Sequence, residues 1–367
     1  MLSRFKFEIE GLFQEMYEKL PEYVFTREGI TFADLQAAGL QTIVPIVNKL
    51  RENGRSDEYI RSHVFAFCED ELDLNSVKGE FLDLPVTLDI YKESIDMKFD
   101  VVVGNPPYQE NNDNGKSKGG GKNVIRGYGS FVKHGLELTK QNGTLLYIIP
   151  QGWEVNSNAL WKMLTNEYSI DYINNNNESL QKHFNGVGST FCVIIASNKK
   201  YSGVTYVESF GNVNLNQIPT LPDSGDINMF SNVMEIFSKQ GKKLKFCTDS
   251  TFHYQKKSTK ENVKLNGDEE YCYPIKHTSS KTFFSRVIHP KQNVMKVIVS
   301  DSGYLSPYMD SGVYGVTQHS PYMLVSSEEE GNKIVEFLKS ENIEELLKIT
   351  KKSGFFNMNV INSLSYE

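Results

Sequence analysis

The sequence predicts an α/β fold in which a doubly wound, mostly parallel sheet is followed by a C-terminal region of mainly β and irregular structure. Strand-like and helix-like segments alternate up to about residue 197. This alternation is typical of a parallel sheet with helices on both faces. Beyond about residue 200 the segments become short, aromatic and rich in turn residues. We therefore expect one domain at residues 1–200 and a second at residues 201–367.

The elements of the first domain follow from hydrophobic periodicity. The run FDVVV at residues 99–103 is mostly apolar, as expected for a central strand that is buried on both faces. Further predicted strands lie at 30–33, 63–67, 144–149, 170–173 and 191–196. Helices are predicted at 1–20, 40–50, 57–62, 130–139 and 159–165, and in the second domain at 329–338 and 343–347. Pro45 fits its helix only if it lies in the first turn.

The composition is that of a soluble globular protein, with 39% hydrophobic and 23% charged residues over 367 positions. A net charge of −7 excludes a uniformly basic nucleic-acid binder. Charge is nevertheless uneven, because residues 251–300 carry nine Lys or Arg against four acids. This stretch favours either a local DNA-facing surface or an ordinary solvated surface.

Four widely spaced cysteines offer no metal-ligand pattern, so no metal site is expected. Cys68 and Cys192 lie in apolar runs and are predicted to be buried thiols, which fits a reducing cytoplasm. No apolar run approaches the ~20 residues that a bilayer span needs, so no membrane association is expected. We also find no convincing nuclease signature.

The candidate catalytic residues are Asn105, Pro106, Pro107 and Tyr108, which directly follow the strand 99–103. Ligands of open α/β sheets bind beyond the carboxyl ends of strands. The Asn105 side chain and the Pro106 backbone offer two carbonyl acceptors on a chain stiffened by proline. Such a pair could hold an amino group and aim its nitrogen at an electrophile, while Tyr108 offers a face for a base. A plain Pro-Pro turn is the alternative.

The segment FDVVVGNPPYQ resembles the catalytic motif of gamma-class N6-adenine DNA methyltransferases of the restriction–modification type. The resemblance implies a Rossmann-like methyltransferase sheet, a C-terminal target-recognition domain and S-adenosyl-L-methionine as cofactor. It implies methyl transfer to the N6 amine of an adenine that is flipped out of double-stranded DNA. The cofactor motif, the catalytic motif and the recognition region also follow in the family's order.

The resemblance further implies a set of cofactor-binding residues. The turn after the first strand, FADLQAAG, would place Asp34 near the methionine amino group and bring the backbone at Gly39 close to the cofactor. Glu69 is the nearest match to the acid that binds the ribose hydroxyls, and Asp89 to the acid that contacts the adenine amine. The turn departs from the family pattern, because Ala38, Leu40 and Thr42 replace smaller or aromatic residues.

The same resemblance places Phe184 where an aromatic ring stacks on the flipped base, although a core Phe is the alternative. In the basic stretch we expect the DNA contacts to include Lys256, Lys257, Lys281 and Arg286, with the charged groups on phosphates. The sequence does not fix the oligomeric state, and a monomer is compatible with it.

Three other functions remain open at this stage. An enzyme with this motif could act on an RNA base or on a protein glutamine, because those amines pose the same chemical problem. A catalytically weak DNA-binding homologue would explain the altered cofactor turn. Methylation of cytosine N4 uses a similar motif that usually begins with Ser, so Asn105 favours adenine.

Overall fold

The computed structural model describes residues 2–37, 39–81, 83–91, 95–107, 125, 127–176, 179–180, 182–184, 190–222, 227–253, 257–351 and 355–366. The chain divides into two compact units, residues 1–217 and residues 218–367. The boundary thus lies after Gln217 rather than at residue 200. The reason is that two short strands, Thr205–Val207 and Gly211–Val213, pair with the sheet of the first unit.

The elements of the first unit are named here in chain order. Its helices are α1 (Leu2–Tyr17), α2 (Tyr23–Thr26), α3 (Val44–Glu52), α4 (Asp57–His63), α5 (Glu71–Glu80), α6 (Tyr128–Glu137) and α7 (Ala159–Asn166). Its strands are β1 (Phe32–Asp34), β2 (Val64–Cys68), β3 (Thr87–Ile90), β4 (Phe99–Gly104), β5 (Thr139–Pro150), β6 (Ser169–Asn174), β7 (Phe191–Ser197), β8 (Thr205–Val207) and β9 (Gly211–Val213).

The sheet of the first unit has the strand order β3-β2-β1-β4-β5-β7-β6-β8-β9. Strands β3, β2, β1, β4 and β5 pair in parallel, whereas β7 runs antiparallel between β5 and β6. The chain order reverses between β1 and β4, which is the switch point where open α/β sheets bind ligands. The predicted doubly wound, mostly parallel sheet is confirmed.

Local sequence explains most of these elements. Pro45 occupies the first turn of α3 and so costs no intrahelical hydrogen bond. Ser56 caps α4 through a bond from the backbone N–H of Tyr59. The central strand β4 is buried at Phe99 and from Val101 to Gly104. Cys68 and Cys192 are both fully buried, as predicted.

In its described residues, the second unit is built from short strands in three small sheets, flanked by helices. Its helices are α8 (Ile227–Ser238), α9 (Lys257–Asn262), α10 (Glu328–Leu338), α11 (Glu341–Ile349) and α12 (Met358–Ser363). Its strands are β10 (Lys242–Lys243), β11 (Val263–Lys264), β12 (Tyr273–Lys276), β13 (Thr282–Ser285), β14 (Lys296–Ile298), β15 (Tyr308–Asp310), β16 (Gly315–Val316), β17 (Tyr322–Leu324) and β18 (Ser365–Tyr366).

The sheets of the second unit are β11-β13-β12-β16, β15-β14-β17 and β10-β18. Apolar side chains of α10, α11 and α12 pack with those of β14 in one core cluster. The irregular, β-rich C-terminal region is therefore confirmed, but α8 was not predicted.

Candidate active site

Asn105 stands just beyond the carboxyl end of β4, beside the reversal of strand order. In the register of the sheet, Asp34 on β1 lies opposite Val103, two residues before Asn105. The Asn105 side chain is half-buried, Pro106 is buried and Pro107 is exposed. Tyr108 lies outside the described residues. The segment that carries the candidate acceptors is thus held against the sheet and opens towards solvent.

Gly104 brings the ends of three strands into close contact. A Cβ atom at this position would lie 3.0 Å from Cε1 of Tyr147 on β5 and 3.5 Å from Oδ1 of Asp34 on β1. The first distance is tighter than ordinary van der Waals contact, so glycine is required unless the Tyr147 ring shifts. The absent side chain places the backbone before Asn105 directly beside the turn that follows β1.

Asp34 ends β1 and is almost completely buried, with 1% of its surface exposed. Its Oδ1 accepts a hydrogen bond from the backbone N–H of Gln36 at 2.9 Å, and its Oδ2 accepts one from the hydroxyl of Thr42. Burial raises the pKa of Asp34 to about 6, and the two hydrogen bonds oppose that rise. The carboxylate therefore shapes the turn in which it lies.

Thr42 is in turn fixed by the N-terminal helix. The hydroxyl of Tyr17 on α1 donates to the carbonyl of Thr42 at 2.6 Å. Burial raises the pKa of the Tyr17 hydroxyl well above its ordinary value, and the nearby Asp34 carboxylate adds to the effect. Tyr17 thus remains a neutral donor, and the contacts from Tyr17 to Thr42 and from Thr42 to Asp34 form one buried chain. In the sequence, Thr42 is visible only as a departure from the family pattern.

The cofactor turn predicted at Gly39 runs across the end of β2. The backbone N–H of Ala37 donates to the carbonyl of Phe67 at 2.9 Å, and the thiol of Cys68 donates to the carbonyl of Ala37 at 3.4 Å. Gly39 is buried, and an added Cβ there would meet the side chain of Gln41 at 2.6 Å. The turn is therefore compact, with its backbone bonded to the end of β2.

The first two residues after β2 are acids, and they play different parts. Asp70 caps helix α5, since its Oδ1 accepts from the backbone N–H groups of Leu72 and Asp73. Glu69 is exposed and immediately follows the last residue of the strand, Cys68. Of the two, Glu69 is thus the acid that the helix cap does not engage. Its role in binding ribose stays a prediction.

Asp89 lies within β3, opposite Phe67 of β2. Its side chain is exposed, and Oδ1 accepts a hydrogen bond from the backbone N–H of Ile90 at 2.8 Å. The strand itself was not predicted, although the acid was. Asp34 and Asp89 accordingly lie in β1 and β3, and Glu69 directly follows β2, the strand between them.

Phe184 is buried, and its ring stacks on that of Phe191 with centroids 4.4 Å apart and an interplanar angle of 26°. Phe191 begins β7, which is antiparallel, so this end of β7 lies at the carboxyl edge of β5. The two rings form an aromatic pair at the edge that Asn105 follows. Stacking of a base on Phe184 stays a prediction.

The predicted DNA contacts fall in the second unit, where Lys256 and the side chain of Lys257 lie outside the described part of the chain. Lys281 and Arg286 are exposed at opposite ends of β13. The Nε of Arg286 donates to Oδ1 of Asn262 at 2.6 Å, and its guanidinium lies 3.6 Å from Glu270. Arg286 is therefore oriented but partly neutralised, whereas the ammonium of Lys281 lies over the ring of Phe283.

Neither a metal centre nor a membrane span is found in the described ranges. No group of three or more His, Cys, Asp or Glu side chains there is arranged to hold a metal ion. None of the helices in those ranges combines the length and the apolar character that crossing a bilayer requires.

Comparison with known families now adds to this geometry. Residues 41–181, which include β2 to β6 and Asn105, match the family model described as Eco57I restriction-modification methylase. The predicted resemblance to restriction–modification methyltransferases is confirmed. We call residues 41–181 the Eco57I-type segment. No curated protein matches the chain.

Solved structures similar to this chain extend beyond the Eco57I-type segment. A nuclease-deletion mutant of the Type ISP restriction-modification enzyme LlaGI, in complex with a DNA substrate mimic, has a TM-score of 0.54 at 10% identity, covering 95% of this chain and 52% of that one. The Type ISP enzyme LlaBIII bound to DNA has a TM-score of 0.50 at 12% identity, covering 86% and 33%. Both likenesses show a shared fold.

A third similar structure is a class I S-adenosylmethionine-dependent methyltransferase from Listeria monocytogenes, with a TM-score of 0.42 and 16% identity over 55% of this chain and 63% of that one. The chain thus spans 63% or less of the length of each of these three proteins.

Proposed function

We propose that this chain transfers the methyl group of S-adenosylmethionine to DNA, at the N6 amine of an adenine rotated out of the duplex. The observation that carries the proposal is the position of Asn105 and Pro106 at the end of β4, beside the reversal of strand order and within the Eco57I-type segment. Two similar structures contain enzymes in complex with DNA or a DNA mimic, which supports DNA as the polymer.

The residues present fit the cofactor. It carries a cationic amino group and ribose hydroxyls, and acidic side chains follow or end the neighbouring strands β1 and β2. Glu69 presents an exposed carboxylate that can accept two hydroxyl protons. Asp34 supplies a buried carboxyl whose oxygens each keep a further lone pair beyond the bonds from Gln36 and Thr42. When bound, the cofactor supplies a methyl group on an electrophilic sulfonium.

The protein's own contribution is positioning. The amine of adenine is a poor nucleophile, so its protons must be held and its nitrogen must be aimed. The side-chain carbonyl of Asn105 and the backbone carbonyl of Pro106 are the acceptors for this task, and proline fixes the backbone between them. No strong general base is needed, and most of the rate enhancement comes from orientation.

Transfer of a tritiated methyl group to duplex DNA, RNA and protein in parallel tests the proposal. We expect label in DNA, in adenine after hydrolysis, and loss of transfer in Asn105→Ala with cofactor affinity unchanged. Label in RNA or in a protein glutamine would assign the same chemistry to another substrate. Full activity of Asn105→Ala would refute the role of Asn105.

The burial of Asp34 favours a second candidate, a DNA-binding homologue with little catalysis. Its carboxylate is 1% exposed and already engaged by Gln36 and Thr42. Calorimetric titration separates the two functions. Absence of S-adenosylmethionine binding up to millimolar concentration, with duplex DNA still bound, would support the second candidate.

A further inference from the structure

Three polar side chains are buried just beyond the carboxyl ends of β5 and β6. Gln151 and Glu154 follow β5, Asn175 follows β6, and each has at most 1% of its surface exposed. Burying a carboxylate and two amides is costly unless hydrogen bonds replace water. A fully buried polar group is therefore retained only where its bonds are well formed.

The hydrogen bonds of this cluster join the ends of three strands. Asn175 Nδ2 donates to Glu154 Oε2 at 3.2 Å, and Gln151 Nε2 donates to the carbonyl of Asn175 at 2.8 Å. The same Nε2 donates to the carbonyl of Phe191 at 2.9 Å. The backbone N–H of Gln151 donates to the carbonyl of Thr190 at 3.1 Å. The bonds therefore run from Glu154 to the start of β7.

Glu154 also influences the helix that follows the catalytic motif. Burial raises the pKa of Tyr128, the first residue of α6, and the negative charge of the Glu154 carboxylate adds to the effect. The hydrogen bond from Asn175 joins the same carboxylate to the end of β6. Glu154, in the turn after β5, thus connects that turn with the end of β6.

The register of the sheet places this cluster on the same edge as Asn105. Gly104, Tyr147, Ile194 and Ile173 form one row across β4, β5, β7 and β6. Asn105 is one residue beyond that row, Asn175 is two beyond it, and Phe191 is three beyond it in the antiparallel strand. The ring of Phe191 carries the stacked ring of Phe184.

We propose that Glu154 is a positioning residue for the target base, acting through Asn175 and Gln151 on the aromatic pair Phe191 and Phe184. This inference rests on the proposed function, because it assigns the support of a base that the reaction requires. Glu154 itself contacts neither base nor cofactor. Loss of its bond releases Asn175 and the start of β7, so the aromatic pair loses its fixed distance from Asn105.

A reversed hydrogen bond provides the test. Asn175→Asp sets two carboxylates against each other and removes the bond, whereas the double variant Asn175→Asp with Glu154→Gln restores it, with the amide of residue 154 as donor. Asn216→Asp makes the same chemical change at an exposed position and is the matched control. Each variant keeps side-chain volume nearly constant, which limits damage to the core.

Three readouts are compared after methylation sequencing of DNA from expressing cells has given the target sequence. For Asn175→Asp we expect kcat/KM for DNA to fall by up to about a hundredfold, the cost of a small misplacement of reacting groups. The fluorescence of 2-aminopurine at the target position should fall in parallel, because the base is held less firmly outside the duplex. Affinity for S-adenosylmethionine should stay within about threefold of wild type.

The double variant should recover most of the lost kcat/KM and most of the lost 2-aminopurine fluorescence. Either role predicts a lower melting temperature, because two buried carboxylates then face each other. A purely structural role predicts in addition that affinity for S-adenosylmethionine falls together with activity, and that result would overturn the inference. So would wild-type fluorescence and activity in Asn175→Asp. If Asn175→Asp does not fold, Glu154→Leu removes the acceptor without adding a charge and should lower kcat/KM and 2-aminopurine fluorescence together, so wild-type values of both in that variant would contradict the inference. An inactive wild-type protein would instead overturn the proposed function and this inference together.

Discussion

The hydroxyl of Thr42 donates a hydrogen bond to the carboxylate of Asp34, eight residues earlier in the chain. The bond closes the turn between β1 and α3, next to the strand that ends at Gly104. Since both residues are almost completely buried, no water replaces this donor when it is removed. The contact therefore affects both the stability of the first unit and the shape of the proposed cofactor site.

Replacing Thr42 with Val should lower both the stability of the first unit and the affinity of the proposed cofactor site. We predict that Thr42→Val lowers the free energy of unfolding by about 1.5–3 kcal/mol, the range for a hydrogen bond to a charged group. Affinity for S-adenosylmethionine should fall as well, because the turn loses its internal brace. Urea unfolding and calorimetric titration measure the two effects. Thr42→Ser keeps the hydroxyl and serves as the control, and a Val variant as stable as the Ser variant would contradict the assigned bond.

Asp34 should give the protein a measurable pH dependence. Burial raises its pKa to about 6, against about 3.9 in an unfolded chain. Below pH ~4 the carboxyl is neutral in both states. Between the two pKa values the folded state keeps a proton on Asp34 that the unfolded state releases. The stability that this proton gives the folded state is therefore lost as pH rises through about 6.

Asp34→Asn removes this dependence. The free energy of unfolding of the variant should equal that of wild type at about pH 4. By about pH 7 it should exceed that of wild type by on the order of 3 kcal/mol, which corresponds to a shift of about two pKa units. Thermal unfolding of both proteins across this range measures the difference. A constant difference would show that Asp34 does not titrate with a raised pKa.

Gly104, the residue before Asn105, should not tolerate a larger side chain. Gly104→Ala places a Cβ 3.0 Å from the ring of Tyr147, and such overpacking typically costs about 1–3 kcal/mol. We predict a lower melting temperature and a loss of methyl transfer that exceeds the loss of cofactor affinity, since the backbone before Asn105 must move. Gly79→Ala in α5 meets no atom within 4 Å and should stabilise slightly, by about 0.5–1 kcal/mol. Equal melting temperatures in the two variants would disprove the crowding.

A buried ion pair should govern the stability of the second unit. Lys296 Nζ lies 2.6 Å from Asp310 Oδ2, and the two side chains are 0% and 2% exposed. Burial lowers the pKa of Lys296, while the Asp310 carboxylate opposes that shift. Lys296→Met leaves a buried carboxylate without its cation, and we expect a loss of about 3–5 kcal/mol in urea unfolding.

The matched control for this change is Lys333→Met. Lys333 pairs with Glu329 on the surface of α10 at 3.1 Å, where both side chains are more than half exposed. Exposed pairs one helical turn apart contribute about 0.3–0.5 kcal/mol. Similar losses in both variants would contradict the special cost assigned to the buried pair.

The central sheet and the end of β4 can be located from the sequence because their signals are local. The run VVV is buried whatever the surrounding topology, and two prolines after Asn105 fix the backbone without tertiary help. Pro45 was consistent with a helix only in its first turn, and the structure places it there. Glu69 was assigned through the family resemblance, as the acid nearest to the end of the second strand, and its role stays a prediction.

Strand β3 carries a weak local signal, because Thr87–Ile90 alternates polar and apolar residues, but four residues are the shortest run for which this pattern indicates a strand. Other features depend on tertiary structure and left no local signal. The contact between Gln151 and Asn175 joins residues 24 positions apart and follows from strand register. The bond from Thr42 to Asp34 depends on the path of a turn that the altered family motif did not predict.

The pairing of β8 and β9 with the sheet has a practical consequence for anyone who wishes to exchange the C-terminal unit with that of a relative. A chimera joined at residue 200 would strip these strands away and leave β6 as a bare edge, with backbone groups free to pair with another chain. A junction after Gln217 keeps that border covered, so the splice site best suited to such hybrids lies after β9.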